Sequence, residues 1–102
     1  MKFKHKWEFN TEEEIAETFR GGNKKLHNLI VDIALKNIKT KLKEIPIVTI
    51  HAKDTDVLYD IMIERPDMIE TLEQNLTIME EYEDYERCQK IFNALQYLKN
   101  KQ

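Results

Sequence analysis

Polar and apolar residues alternate at the start of the chain. In "KFKHKWEF", Phe3, His5, Trp7 and Phe9 share one face, and Lys2, Lys4, Lys6 and Glu8 share the other. That period of two, rich in aromatics, predicts a half-buried strand. The period then lengthens. In "NTEEEIAETF", Thr11 followed by Glu14 is a capping box for a helix. Glu12 and Glu13 suit its positive end, and Ile15, Ala16 and Phe19 form its apolar face. "RGGN" stops it, with Gly21 or Gly22 free to take the left-handed cap conformation. Asn23 caps a second helix, expected to run to about Glu44 and to be ended by Pro46. Leu26, Leu29, Ile30, Ile33, Ala34 and Ile38 give it a wide apolar arc. The remaining stripe of Lys25, Asn28, Asp32, Lys36, Lys39 and Lys43 is narrow, wet and mainly basic.

"IPIVTIH" is apolar and β-branched and reads as a second strand, able to pair with the first across the helical crossover. "KDTDVLYDIMIER" is expected to be a helix capped by Asp54, with Val57, Leu58, Ile61 and Met62 facing inward. Pro66 fits the first position of a following helix, whose stripe is Ile69, Leu72, Leu76 and Met79. A final helix carries Tyr85, Cys88, Phe92, Leu95 and Leu98. These last two stripes are out of phase: extended beyond Met79, the first would fall on Glu83 and Glu86. One straight helix would put the stripes on different faces. A turn near Tyr82–Asp84 restores a shared face, so an antiparallel helical hairpin is favoured over one long kinked helix, although no Gly or Pro marks the turn.

The segment from Ile69 to Leu98 resembles the UVR motif of bacterial excision-repair subunits and Clp-protease regulators. Ile69 and Leu72 match its opening aliphatic pair. Tyr85, Glu86 and Cys88 match its aromatic, acidic and small residues, and Ile91, Leu95 and Leu98 its trailing aliphatics. The chain departs from the pattern at Phe92 and Asn93, where the family usually carries Arg-Asp, and at Met79, where it carries alanine. The resemblance covers under a third of the chain. It implies a short helical hairpin that docks other proteins, often a second hairpin of its own kind.

At 102 residues the chain suits a single domain, 1–102. The expected fold class is mainly α: a small helical bundle with a minor two-stranded β element and a C-terminal helical hairpin. The net charge of −3 conceals an imbalance: residues 1–44 hold ten Lys/Arg against seven Asp/Glu, and residues 45–102 hold six against twelve. A basic strand-helix-helix-strand part (1–51) and an acidic helical part (52–102) can dock on each other or take different partners. The N-terminus has positive charge but no following apolar run, so it does not read as a signal peptide. No window approaches the apolar length needed to cross a bilayer, and no membrane partner is expected. The single cysteine, Cys88, excludes an intramolecular disulfide and a paired-cysteine metal knuckle, and fits a reducing cytoplasm. The preference for Lys, Ile and Asn fits an AT-rich bacterial or phage genome.

Candidate chemistry is sparse. His51 precedes Asp54 and Asp56, whose two carboxylates on a loop offer oxygen ligands for Mg²⁺, but helix capping accounts for Asp54 and dipole complementation for Asp56. Cys88 lies on an apolar stripe, where packing is the plainer role. The acids Glu80, Glu81, Glu83, Asp84 and Glu86 read as a solvated turn, and "RGGNKK" lacks the strand and spacing of a phosphate loop. No catalytic residue, metal or cofactor is assigned. The favoured function is a non-enzymatic protein-binding module: a cytoplasmic adaptor, regulator or inhibitor of a larger bacterial protein machine, whether host- or phage-encoded. It would bind through the C-terminal hairpin by Leu72, Tyr85, Phe92 and Leu95, with a homodimer open. The alternative is a nucleic-acid-binding accessory protein using Lys25, Lys36, Lys39 and Lys43, together with the lysine face of the first strand.

Overall fold

The computed structural model describes residues 2–101. Its elements are β1 (Lys6–Phe9), α1 (Glu12–Phe19), α2 (Lys24–Lys36), β2 (Glu44–Ala52), β3 (Val57–Glu64), α3 (Met68–Glu81) and α4 (Tyr85–Asn100), with a 3₁₀ turn at Arg65–Asp67 before α3. The fold class is therefore α+β, with a three-stranded mixed sheet. This corrects the expected mainly α bundle with two strands.

The first half forms much as its local signals dictate. β1 pairs parallel with β2, Lys6 opposite Thr49 and Phe9 opposite Ala52, and the crossover carries α1 and α2. Thr11 caps α1 by accepting from the Glu14 amide at 3.0 Å, while the Glu14 carboxylate accepts from the Asn10 amide at 3.1 Å. Gly21 and Gly22 both have positive φ, 77° and 101°, where a side chain would be strained. Asn23 caps α2 through the Leu26 amide at 2.9 Å. α2 stops at Lys36, eight residues before the expected end. Asn37 folds its side-chain amide back onto the Ile33 carbonyl at 2.9 Å. Arg65 then holds the following loop, donating to the carbonyls of Asn37 and Leu42 and to the Thr40 hydroxyl. Pro46 lies inside β2 rather than ending a helix. β1 reaches only Thr49–Ala52, so Pro46, opposite Met62 of β3, has no strand on its other side, and a bulge between Pro46 and Val48 absorbs it.

The main departure is β3. Residues 57–64 form an antiparallel strand against β2, not a helix. The same letters fit both periods: Val57, Leu58, Ile61 and Met62 suit a helix, and Val57, Tyr59, Ile61 and Ile63 suit a strand. The turn Lys53–Asp56 decides between them. Asp54 does not cap a helix; its carboxylate accepts from the Thr55 amide at 2.8 Å, and Asp56 takes a left-handed φ of 55° that closes the β-hairpin.

The chain turns at Tyr82–Asp84, and α3 and α4 run antiparallel, tied near their far ends by Lys99 and Glu73 at 3.0 Å. The Asp84 amide donates to the Met79 carbonyl at 2.9 Å and the Glu83 amide to the Glu80 carbonyl at 3.0 Å. These are the two bonds of a Schellman cap, with Glu83 at the left-handed position, φ 58°, where glycine is usual. The turn is thus made without Gly or Pro.

The core lies between one face of the sheet and the helices. Val31 and Ala34 of α2 meet Ile45, Ile47, Val48 and Ile50 of β2, Met68, Leu72 and Met79 of α3, and Ile91, Ala94 and Leu95 of α4. Phe19 of α1 stacks on Trp7 and meets Phe9 edge-on, closing the β1 end. The opposite sheet face is mainly polar: Lys6, Glu8, Thr49, His51 and Asp60 lie on it, with Thr49 donating to Asp60 at 2.9 Å and Leu58 exposed beside His51.

Candidate functional site

The four residues expected to carry a protein contact separate into two pairs. Leu72 and Leu95 are buried in the core and hold the helical hairpin against the sheet. Tyr85 and Phe92 are on the surface, 67% and 49% exposed. The division follows from α4 itself. Ile91, Ala94 and Leu95 already fill its inward face, so Tyr85, Cys88 and Phe92, at steps of three and four, make a second apolar line at the edge of that face. Leu76 and Glu80 of α3 lie against this line, and together with Gln89 they enclose a shallow concavity between the two helices. Burial pushes the Cys88 thiol up, and Glu80 and Asp84 push it further. A thiol so held stays protonated and is a poor nucleophile. What the concavity offers is apolar and aromatic surface with a polar rim, the composition of a docking spot.

The hairpin presents this surface rigidly. Arg87 forks onto Asp32 of α2, Nε to Oδ1 at 2.9 Å and Nη2 to Oδ2 at 2.8 Å, while Nη1 donates to Asp84 at 2.6 Å. One guanidinium so joins the start of α4, the turn and α2. The Arg87 side chain, then its backbone amide, hold the Asp84 carboxyl below its usual range, and Asp84 also caps α4. Further along, Asn75 is the buried polar residue of the core among those described. It donates to the Thr71 carbonyl at 2.9 Å and pairs its carbonyl oxygen with His27 Nδ1 at 3.1 Å, which locks α2 to α3.

The four lysines of the alternative reading do not share a face. Only Lys25 and Lys36 are on α2; Lys39 and Lys43 lie in the loop beyond it. Lys25 sits over the Trp7 ring at 4.8 Å and Lys39 over the Tyr97 ring at 5.1 Å. The stripe existed only on a helix continued to residue 44. His51, Asp54 and Asp56 also resolve into structure. His51 lies on the outer sheet face between Asp56, at 2.7 Å, and Glu8, at 3.5 Å. No group of three or more His, Cys, Asp or Glu among the described residues is placed to hold a metal ion.

Several exposed apolar residues escaped the sequence reading: Leu42 in the α2–β2 loop, and Leu58 and Tyr59 on β3. The β3 pair was hidden by the helical assignment, since Leu58 then pointed inward. The Tyr59 hydroxyl donates to the Glu12 carboxylate, linking β3 to the start of α1. No helix among the described residues is long and apolar enough to cross a membrane. Comparison with known proteins finds no matching family model and no curated protein or solved structure of significant similarity.

Proposed function

We propose that this chain is a non-enzymatic protein-binding module, acting in the cytoplasm as an adaptor, regulator or inhibitor of a larger bacterial protein and docking through its C-terminal helical hairpin. The observation that carries this reading is the exposure of Tyr85 and Phe92 beside Leu76 and Cys88 on a helix whose core positions are already filled. Exposed aromatics grouped on a rigid element are the usual anchors of protein contacts. The UVR-like pattern of the same segment, with docking as its implied use, points the same way.

The narrower site is Tyr85 and Phe92, with Leu72 and Leu95 as their support. The test is affinity capture from bacterial lysate, with and without nuclease, using the parent chain and the variants Tyr85→Asp and Phe92→Asp. A stoichiometric protein that survives nuclease and is lost with either folded variant is the expected result. Capture that both variants preserve removes the hairpin as the interface, and capture that nuclease abolishes transfers the function to nucleic acid.

A further inference from the structure

A second candidate site lies where β1 is too short for β2. β1 pairs with Thr49–Ala52 only, and the segment preceding it runs beside the first half of β2, with the Thr49 amide donating to the His5 carbonyl at 3.0 Å. Between this segment, the end of α2 and the start of β2 is a pocket of about 220 Å³. Its polar lining is Lys2, Lys4, His5, Lys36 and Asn37; its apolar lining is Ile33, Leu42 and Pro46. No carboxylate among the described residues lines it, in a chain of net charge −3. Lys43 and Glu44 border the adjoining groove. None of Lys2, Lys4, Lys36 and Lys43 forms an ion pair among the described residues.

We infer that this pocket binds a small phosphate ester, its anion held by Lys2, Lys4 and Lys36 and its body laid on Leu42 and Pro46. Lys36 also borders the acidic groove of Asp32, Asp84 and Glu86 on its other side, but on this side it meets Lys2 and Lys4, and an anion among the three lowers their mutual repulsion. The helix end would ordinarily oppose an anion, because its free carbonyls are partly negative. Here Asn37 covers the Ile33 carbonyl and the Arg65 guanidinium covers those of Asn37 and Leu42, which adds a further positive charge behind the pocket. Leu42 is 48% exposed beside these charges. A bare inorganic anion would leave that apolar wall wet, whereas an ester with a flat apolar body covers it.

The test is a titration of the full chain with phenyl phosphate, followed residue by residue in the amide NMR spectrum, with phenol, inorganic phosphate and a short oligothymidylate as comparisons. The expected result is a saturable shift confined to residues 2–5, 33–37 and 42–46, weaker with inorganic phosphate and absent with phenol. Lys4→Glu with Lys36→Glu should weaken binding by about tenfold or more, through loss of two favourable and gain of two unfavourable charges. Lys4 is exposed and lies outside every helix and strand, so Lys4→Glu is the single variant to read, with its amide spectrum away from the pocket checked against the parent's. No saturable shift, shifts spread over all lysines, or an unchanged response in Lys4→Glu would overturn the assignment. Tighter binding of the oligonucleotide than of phenyl phosphate would also overturn it, in favour of a nucleic-acid strand.

Discussion

The turn between α3 and α4 offers the sharpest quantitative test, because it uses an acidic residue where glycine is the usual choice. Glu83 has φ 58°. Holding an L-residue there costs about 1–2 kcal/mol relative to a right-handed conformation. Glu83→Gly removes that cost but frees the unfolded chain, which takes back about 0.4–1 kcal/mol. The expected net effect is a stabilisation of about 0.5 to 1 kcal/mol, seen as a rise in Tm of about 2–6 °C for a domain of this size. Removing Glu83 also relieves repulsion from Glu80, Glu81, Asp84 and Glu86. Glu83→Ala controls for this, since it removes the charge and keeps the Cβ. The assay is urea and thermal unfolding of the three proteins by circular dichroism. Glycine should exceed alanine by most of the predicted gain. If glycine and alanine are equal, or if glycine destabilises as it would inside a continuous helix, the left-handed cap is wrong and the hairpin with it.

Three further outcomes follow from the contacts around the core. Asp84→Asn should lower stability near neutral pH and narrow its difference from the parent below about pH 4. The Asp84 carboxyl is held below its ordinary 3.8 in the folded state, mainly by the Arg87 side chain, so its contribution is present above that value and is lost as pH falls through the folded one. Urea unfolding across that range reads the difference, and a gap independent of pH would refute the pairing. Asn75→Ala should cost about 1–2 kcal/mol by stranding His27 Nδ1 and leaving a small void, measured by chemical denaturation. Arg65→Ala should cost about 1–2 kcal/mol and speed hydrogen exchange at residues 37–43, because three donated bonds to that loop are lost together. Unchanged exchange there would show that the loop is held by something else.

Signals confined to a few neighbouring residues were legible in the sequence. Thr11 with Glu14, Gly21 with Gly22, and Asn23 each act within one helical turn, so they need no knowledge of the rest of the chain. The break at Tyr82–Asp84 was also legible, because two apolar stripes out of register cannot share one straight helix. That β1 and β2 could pair was also legible, because the two helices between them supply a crossover; the parallel register came from the structure.

Other features were settled only by tertiary structure. Residues 57–64 satisfy both a helical and an extended period, and what selects the strand is a partner: β2 supplies a ladder of hydrogen bonds and an apolar face once the turn at Asp54–Asp56 brings the segment back. The end of α2 is set likewise, since Arg65, distant in sequence, binds the Asn37 carbonyl that a longer helix would have used itself. The candidate docking residues depend on the same distinction. An apolar stripe on α4 says that a face exists, but not how much of it the core consumes; Leu95 is consumed, and Tyr85 and Phe92 are left over. The lysines show the converse. Their apparent alignment belonged to a helix that ends at Lys36, and the cluster that does form joins Lys36 to Lys2 and Lys4 across more than thirty residues of chain. Local stereochemistry is written in neighbouring residues, whereas burial, pairing and charge clustering arise only when distant segments meet.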